Sequence, residues 1–429
     1  MEIRLAYYEL ERDMKEYIIN GGQPLDGALE IKGAKNSILP LMAASILTDE
    51  ITVLHNCPNI SDVDSMINIL EGLGSKIIRS GRDVIIDNSM TDKSEIPASL
   101  AKELRSSVFL LGSLLSRHKK AKVAYPGGCD IGLRPIDIHI TGLRELGIEI
   151  QEQGGYILCN CLNAKSADIV LDLPSVGATE NLMLASVFIK GKTVIRNCAK
   201  EPEIVDLQKF LNTMGAKIRG AGSSVIVVEG VDKLHGIEYT PIPDRIVAGT
   251  YLIAAAMCGG NVELSGVNPE HISSLISKLS KTTCKVHIKN DRILIRSKGR
   301  QKSLECIETM YYPGFPTDLQ SQIMAMQTVS RGTSVIVENI FETRFKTASQ
   351  LKKLGADITI KGRVAVIRGV KELIGAEVAA SDLRGGASLV LAGLVAKGTS
   401  IVKDIHYIDR GYEDLSVELQ KLGANVRRT

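Results

Sequence analysis

The sequence predicts an α/β protein of two domains, built from six similar repeats. One observation is a sequence motif that recurs along the chain, which we call the recurring phrase. It consists of Leu, one or two variable residues, Leu or Met, Gly, a small or polar residue, a charged residue and a β-branched residue. Its glycine position falls at residues 74, 147, 215, 283, 355 and 423, with Thr283 replacing glycine. A second is an apolar helix roughly 25 to 35 residues before each phrase. The third is the length of 429 residues, which suits two domains.

The recurring phrase is typical of a helix end followed by a strand. Glycine just past a helix readily adopts the left-handed conformation that ends it. The upstream helices are apolar on nearly all faces, so each is expected to be buried inside its domain. They are expected at 38–47, 106–116, 179–189, 246–257, 319–329 and 388–396, with short strands after them, as at 192–196 and 400–403. Such repeats can also form a passive scaffold, and repetition alone fits an enzyme and a binding protein about equally well.

The charge, hydropathy and cysteine content of the sequence argue against several classes of function. The net charge of +3 is too small to indicate a nucleic-acid partner. The longest apolar stretches, 108–115 and 251–258, fall short of the roughly 20 residues of a membrane span. The first 13 residues lack an apolar signal core, so we expect a cytoplasmic protein that does not bind membranes. Eight scattered cysteines suit reduced thiols, and we interpret Cys159 and Cys161 as strand residues rather than zinc ligands.

The starts of the buried helices carry an unusual number of cations. Four of the six starts contain Lys or Arg, namely Lys35, Arg105, Arg245 and Arg384. A cation there opposes the helix dipole by about 0.3–1 kcal/mol. At any single start, a partner carboxylate such as Asp244 beside Arg245 is the simpler explanation. For the set together, we favour anionic ligands bound at helix N-termini.

Two further segments contain candidate catalytic residues. Residues 125–135 hold three glycines, two prolines and Cys129, which indicates a long functional loop with a reactive thiol. In the second segment, Pro316 fixes the chain just before a helix start and directs Asp318 to its solvent end. From the residues alone, a helix cap is favoured over a catalytic role for Asp318.

Eight motifs together resemble one family. They are GAKNSILP, GGCDIGLRPID, PSVGATEN, EPEIVD, FPTDLQ, FETRF, DLRGGASLV and HYIDRGYE, which occur here in the order of the UDP-N-acetylglucosamine 1-carboxyvinyltransferase (MurA) family. The resemblance runs from about Tyr17 to the end, and Met14 is a candidate start. It implies the enolpyruvyl transferase fold, an inside-out α/β barrel of two three-repeat domains. We expect an extension at 1–13, one domain at 35–242 carrying the Cys129 loop, and one at 14–34 plus 243–429.

The resemblance also implies an activity and its residues. The family transfers the enolpyruvyl group of phosphoenolpyruvate to the 3′-hydroxyl of UDP-N-acetylglucosamine, the first committed step of peptidoglycan synthesis. Cys129 would be the acid and Asp318 the base, which would need burial or a like-charged neighbour to be a strong one. Phosphoenolpyruvate would contact Lys35, Asn36, Arg134 and Arg410. The nucleotide sugar would contact Arg105, Arg134, Pro135, Ile136, Asp137, Ile138, Ser175, Val176, Gly177, Asp318, Ile340 and Arg344, with Asp382 and Arg384 completing the cleft.

Two alternatives stay open at this point. The sister enzyme that acts on shikimate 3-phosphate shares the fold, but the Cys129 loop, residues 134–138 and HYIDRGYE match the nucleotide-sugar branch. A catalytically silent sensor of the nucleotide sugar is the other, although every expected catalytic position is present. One departure is Leu173, where some relatives have a lysine that contacts the diphosphate. The scheme requires no metal and no cofactor.

Overall fold

The computed structural model describes residues 15–103, 108–125 and 136–429. These residues form two compact units. The terminal unit comprises residues 15–31 and 243–429, and the central unit comprises residues 32–103, 108–125 and 136–242. Each unit has its own core of buried aliphatic side chains. In the described part of the chain, no helix combines the length and the apolar character that a membrane crossing needs.

The helices of both units begin and end as follows. They are α1 Lys35–Ser45, α2 Ser61–Gly72, α3 Ala98–Glu103, α4 Leu110–His118, α5 Asp137–Glu145, α6 Val176–Ser186, α7 Pro202–Thr213, α8 Arg245–Cys258, α9 Ser273–Leu279, α10 Gln320–Thr328, α11 Ala348–Lys353, α12 Leu383–Val395, α13 His406–Asp409 and α14 Leu415–Lys421. Short 3₁₀ turns cover Pro269–Ile272, Thr317–Leu319 and Arg344–Thr347.

The strands are mostly short, as expected for repeated small sheets. They are β1 Tyr17–Asn20, β2 Leu25–Glu30, β3 Thr52–Leu54, β4 Lys76–Ser80, β5 Asp83–Asp87, β6 Glu95–Ile96, β7 Lys120–Ala124, β8 Glu149–Gln153, β9 Tyr156–Asn160, β10 Asp168–Val170, β11 Lys192–Arg196, β12 Lys217–Arg219, β13 Val225–Glu229, β14 Glu238–Tyr239, β15 Gly260–Ser265, β16 Lys285–Lys289, β17 Arg292–Ser297, β18 Cys306–Glu308, β19 Thr333–Val337, β20 Asp357–Lys361, β21 Val364–Arg368, β22 Leu373–Ile374, β23 Glu377–Ala379, β24 Ala396–Lys397, β25 Thr399–Lys403 and β26 Asn425–Arg428.

The described residues contain six four-stranded sheets that share one pattern. A parallel pair comes first, and two antiparallel strands follow, as in the order β10-β11-β13-β12. Three sheets are completed by strands distant in sequence within the same unit. In the central unit β14 pairs with β3, and in the terminal unit β1 and β2 pair with β25 and β15. Each unit therefore closes its set of three sheets with strands from its own ends.

The six predicted buried helices are confirmed as α1, α4, α6, α8, α10 and α12. Nearly every residue of α12 is buried, and α1, α6, α8 and α10 are similar. The predicted start of α12 was five residues late. The helix begins at Leu383 because the Asp382 carboxylate accepts hydrogen bonds from the N–H groups of Arg384 and Gly385.

The glycine of the recurring phrase ends its helix as predicted. Gly74, Gly147, Gly215, Gly355 and Gly423 all have positive φ. At the first, the Gly74 N–H donates to the Glu71 carbonyl and the Ser75 N–H donates to the Leu70 carbonyl, both at 3.0 Å. This paired arrangement satisfies carbonyls at the helix end. In the degenerate copy, the Thr283 hydroxyl donates instead to Gln301 Oε1 at 2.6 Å.

Candidate active site

The start of α1 places a cation in the central unit. Lys35 is its first residue, and its Nζ lies 2.7 Å from Asp62 Oδ2 in the first turn of α2. The exposed fractions of these side chains are only 12% and 4%. Ala34 precedes the helix, so no side chain caps its first N–H groups. A buried ammonium beside uncapped helix N–H groups is suited to an anionic ligand. Asn36, the next residue, is half-buried.

Asp206 holds the same helix turn through the side chain of Ser37. Its buried carboxylate accepts hydrogen bonds from the Ser37 hydroxyl, the Tyr239 hydroxyl at 2.6 Å and the Ile242 N–H at 3.1 Å. The Ala34 N–H also donates to the Ile242 carbonyl at 2.8 Å. Burial raises the pKa of Asp206 above its ordinary value, although these three hydrogen bonds oppose the rise. The turn that carries Lys35 and Asn36 is thus held by a dense polar network.

The remaining described candidates of the central unit lie at the starts of α5 and α6, which pack together. Ser175 caps α6 by accepting a hydrogen bond from the Ala178 N–H at 3.3 Å. Gly177 has little space beside it there, because a Cβ would lie about 3.0 Å from the Phe109 ring and 3.1 Å from the His139 ring, and these rings would have to shift. The other candidates at these two starts, all partly or fully exposed, are Ile136, Asp137, Ile138 and Val176.

Asp318 is the central residue of the candidate site in the terminal unit. Its Oδ1 lies 3.0 Å from Arg344 Nη2, and its Oδ2 lies 3.3 Å from Arg384 Nη2. The Asp318 side chain is 26% exposed, whereas both arginine side chains are almost completely buried. Two buried guanidinium groups therefore fix the orientation of a carboxylate that still reaches the surface.

These contacts correct one expectation about Asp318. It was expected to cap a helix, but the 3₁₀ turn Thr317–Leu319 in which it lies has Pro316 before it and no side-chain cap. A strong base here would need burial or a like-charged neighbour. The carboxylate is only partly buried, and it forms ion pairs with two cations.

The supporting residues of this site are held by helix caps. Asp382 caps α12 and thereby fixes the first turn of that helix, which carries Arg384. Asp244 caps α8 in the same way. Burial acts to lower the pKa of Arg384, but interactions with Tyr412, Asp318 and Asp244 outweigh it and raise that pKa. Ile340 is held by its backbone, since its N–H donates to Glu338 Oε1 at 2.9 Å.

Arg410 lies directly after α13 and is half-buried. Neighbouring residues anchor the backbone on both sides of Arg410. On one side, Asp409 forms two hydrogen bonds with Arg428, at 2.9 and 2.6 Å. On the other side, Tyr412 is buried in the core of the terminal unit. The structure therefore presents Arg410 on a segment with little freedom to move.

Four predicted residues, Arg105, Cys129, Arg134 and Pro135, lie outside the described residues. Of the rest, the structure brings together Asp318, Arg344 and Arg384 in the terminal unit, with Asp382 adjacent. In the central unit it places Lys35 and Asn36 on α1. Sequence reasoning missed Asp62, Asp206 and Tyr412. Asp206 and Tyr412 stand in the EPEIVD and HYIDRGYE motifs, but only their contacts show what they hold.

Comparisons with known proteins identify the family. The family model described as EPSP synthase (3-phosphoshikimate 1-carboxyvinyltransferase) matches residues 19–425. UDP-N-acetylglucosamine 1-carboxyvinyltransferase 2 from Caldanaerobacter subterraneus subsp. tengcongensis is 55% identical and covers 97% of this chain and 100% of its own. UDP-N-acetylglucosamine 1-carboxyvinyltransferase 1 from Carboxydothermus hydrogenoformans is 46% identical, with coverages of 97% and 98%. The chain belongs to the UDP-N-acetylglucosamine 1-carboxyvinyltransferase family. It is a transferase of enolpyruvyl groups.

Solved structures confirm the predicted enolpyruvyl transferase fold. The enolpyruvyl transferase NikO from Streptomyces tendae matches with a TM-score of 0.86 at 24% identity, over 97% of this chain and 99% of that chain. EPSP synthase from Acinetobacter baumannii matches with a TM-score of 0.73 at 17% identity, over 97% and 100%. At these identities the likeness concerns the fold alone.

Proposed function

We propose that this transferase moves the enolpyruvyl group of phosphoenolpyruvate to the 3′-hydroxyl of UDP-N-acetylglucosamine and releases phosphate. The observation that carries the proposal is 55% identity, over the full length of the relative, to a protein named for this reaction. The reaction would be the first committed step of peptidoglycan synthesis, and the chain would act in the cytoplasm.

Phosphoenolpyruvate brings a carboxylate and a phosphate, so its site needs several cations. Lys35, Arg134 and Arg410 are proposed to supply them, with Asn36 as a neutral donor. Support comes from Lys35 at the uncapped start of α1 and from Arg410 on its fixed segment. Each charge-assisted hydrogen bond to the ligand would contribute about 1.5–3 kcal/mol.

Addition to the double bond needs a base at the sugar hydroxyl and an acid at the methylene carbon. Asp318 is proposed to accept the proton of the 3′-hydroxyl while the oxygen of that hydroxyl bonds to carbon 2 of phosphoenolpyruvate. Cys129 is proposed to donate a proton to the methylene carbon, which gives a tetrahedral intermediate. The phosphate group then leaves carbon 2, the new methyl group returns one proton to the thiolate of Cys129, and the double bond is restored. Because Arg344 and Arg384 contact both oxygens of Asp318, its contribution would come from fixed orientation.

The nucleotide sugar is proposed to lie against Arg105, Pro135 and the starts of α5 and α6. Ile340 and Arg344 are proposed as further contacts. The N–H groups at a helix start suit a diphosphate. Support comes from the surface exposure of Asp137 and the partial exposure of residues 175–177.

An acceptor assay tests the proposal directly. Purified protein is incubated with phosphoenolpyruvate and either UDP-N-acetylglucosamine or shikimate 3-phosphate, and released phosphate is measured. We expect release only with the nucleotide sugar. Release with shikimate 3-phosphate alone would overturn the assignment. Binding of the nucleotide sugar without any phosphate release would instead establish a sensor.

A labelling experiment tests the role of Cys129. The described cysteines are poorly ionised, because burial raises the pKa of Cys57 and Cys159 to about 12 and also raises that of exposed Cys306. An epoxide phosphonate that resembles phosphoenolpyruvate should therefore alkylate Cys129 alone, as read by mass spectrometry. Cys129→Ser should abolish labelling and sharply reduce turnover, whereas Cys306→Ser should change neither. Label on Cys306 would count against a special reactivity of Cys129, and full activity of Cys129→Ser would remove the thiol from the mechanism.

A further inference from the structure

Tyr412 occupies a position that connects two parts of the proposed site in the terminal unit. It lies two residues after Arg410, and its side chain is 2% exposed. Its hydroxyl contacts α8 and α10, and its ring contacts the first turn of α12. One side chain thus reaches the three buried helices of the unit.

The hydroxyl contacts form a hydrogen-bond chain. The Thr250 hydroxyl donates to the Ile246 carbonyl at 2.9 Å, and a hydroxyl has a single proton to donate. With that proton used, the 2.8 Å contact between Thr250 Oγ1 and the Tyr412 hydroxyl is assigned to donation by Tyr412. The Tyr412 oxygen in turn accepts from Gln322 Nε2 at 3.2 Å. The chain runs from Gln322 through Tyr412 and Thr250 to Ile246, and each member depends on the others.

The ring of Tyr412 makes a separate contact with a cation. The Arg384 guanidinium carbon lies 5.4 Å from the ring centroid, within the range of a cation–π interaction. The same guanidinium reaches Asp318 Oδ2 at 3.3 Å. A shift of the ring would therefore move Arg384, and Arg384 would in turn move the Asp318 carboxylate that is proposed as the base.

We propose that Tyr412 is a positioning residue with two separable actions. Its hydroxyl anchors the segment that carries Arg410, and its ring orients Arg384 and thereby Asp318. This inference rests on the proposed function, in which Arg410 binds phosphoenolpyruvate and Asp318 accepts the sugar proton. The hydroxyl then governs the affinity for phosphoenolpyruvate, and the ring governs turnover.

Two substitutions separate these actions. Tyr412→Phe keeps the ring but breaks the hydrogen-bond chain and removes the interaction of the hydroxyl with Arg384. We therefore expect KM for phosphoenolpyruvate to rise about 5- to 10-fold, kcat to fall less than in a variant without the ring, and KM for the nucleotide sugar to stay within about twofold of native. Tyr412→Leu also removes the ring, and we expect a further drop in kcat of about 10-fold or more. The KM-against-kcat split distinguishes positioning from a loss of stability, which would lower only the amount of active protein.

Thr250→Val and Tyr407→Phe complete the experiment. Thr250→Val breaks the same hydrogen bond from the other side, so it should raise KM for phosphoenolpyruvate similarly. The double variant with Tyr412→Phe should show no further rise, because the chain is already broken. Tyr407 lies on α13 with its ring against His406, so Tyr407→Phe is the matched control and should behave as native.

The outcomes separate this inference from the proposed function. A lower melting temperature of Tyr412→Phe with native kcat and native KM values would overturn the positioning role, as would an equal rise in both KM values. If the native protein releases no phosphate with these substrates, the proposed function fails instead. Crystal structures of the native protein and Tyr412→Phe then decide. Displacement of Arg410 supports positioning, and an unchanged Arg410 overturns it.

Discussion

The two units use acidic side chains at the starts of their buried helices in different ways. In the terminal unit, Asp244 and Asp382 accept hydrogen bonds from backbone N–H groups and cap α8 and α12. In the central unit, no side chain caps α1, and the nearby acids bind side chains instead. Asp62 pairs with Lys35, and Asp206 accepts from the Ser37 hydroxyl.

The difference shows how one repeat supports two kinds of site. A capped helix start satisfies its own N–H groups, so the arginine in its first turn can orient another side chain, as Arg384 orients Asp318. A start without a side-chain cap has a lysine beside its first N–H groups, which suits an anionic substrate. The terminal unit is therefore suited to fix a base, and the central unit to bind a phosphate or carboxylate.

The largest test of this contrast is Asp318→Asn. The amide keeps an acceptor for Arg344 or Arg384 but cannot accept the sugar proton, so we expect kcat to fall by about 10²- to 10⁴-fold with little change in KM. Steady-state kinetics with both substrates varied measures this. Asp357→Asn is the matched control, since Asp357 forms an exposed ion pair with Arg368 and should leave kcat unchanged. Native kcat for Asp318→Asn would show that the carboxylate is not the base.

Lys35→Met tests the central unit and should have the next largest effect. Loss of one charge-assisted contact of about 1.5–3 kcal/mol should raise KM for phosphoenolpyruvate by about 10- to 100-fold. KM for the nucleotide sugar should change much less. Asp62→Asn is the comparison variant, because it weakens the 2.7 Å ion pair but keeps the ammonium. If both variants raise KM for phosphoenolpyruvate equally, Lys35 acts through its ion pair rather than through the ligand.

The sequence predicts the fold of this molecule more completely than it predicts the candidate site. The repeat was predictable because glycine at a helix end and an apolar helix are local signals, and Gly74 and its equivalents behave as expected. The partners of Asp318 were not, because Arg344 and Arg384 are 26 and 66 residues away along the chain. The cap interpretation of Asp318 was wrong for the same reason: local sequence favours a cap, and distant cations decide otherwise. The network of Asp206 likewise joins residues from three separate segments.

The smallest expected effect concerns Glu180, a buried acid of the central unit. Unlike the capping acids Asp244 and Asp382, it accepts no hydrogen bond from the described residues. Glu180, in α6, is completely buried, and its carboxylate oxygens have no hydrogen-bond partner among the described residues. Burial, and then the nearby Glu203 and Glu201, raise its pKa well above the ordinary value of 4.5. Folding therefore favours the protonated form. Its stabilising contribution is complete below about pH 4.5 and is lost as the pH rises through the raised pKa.

Glu180→Gln removes this titration while keeping the shape of the side chain. The free energy of unfolding of the variant, minus that of the native protein, should increase with pH above 4.5, by at most about 1.4 kcal/mol per pH unit. Urea unfolding at a series of pH values measures the difference. Glu229→Gln, at an exposed ion pair with Arg219, is the control for the loss of one surface acid. A difference for Glu180→Gln that does not vary with pH would contradict the expectation and place a compensating donor beside this carboxylate.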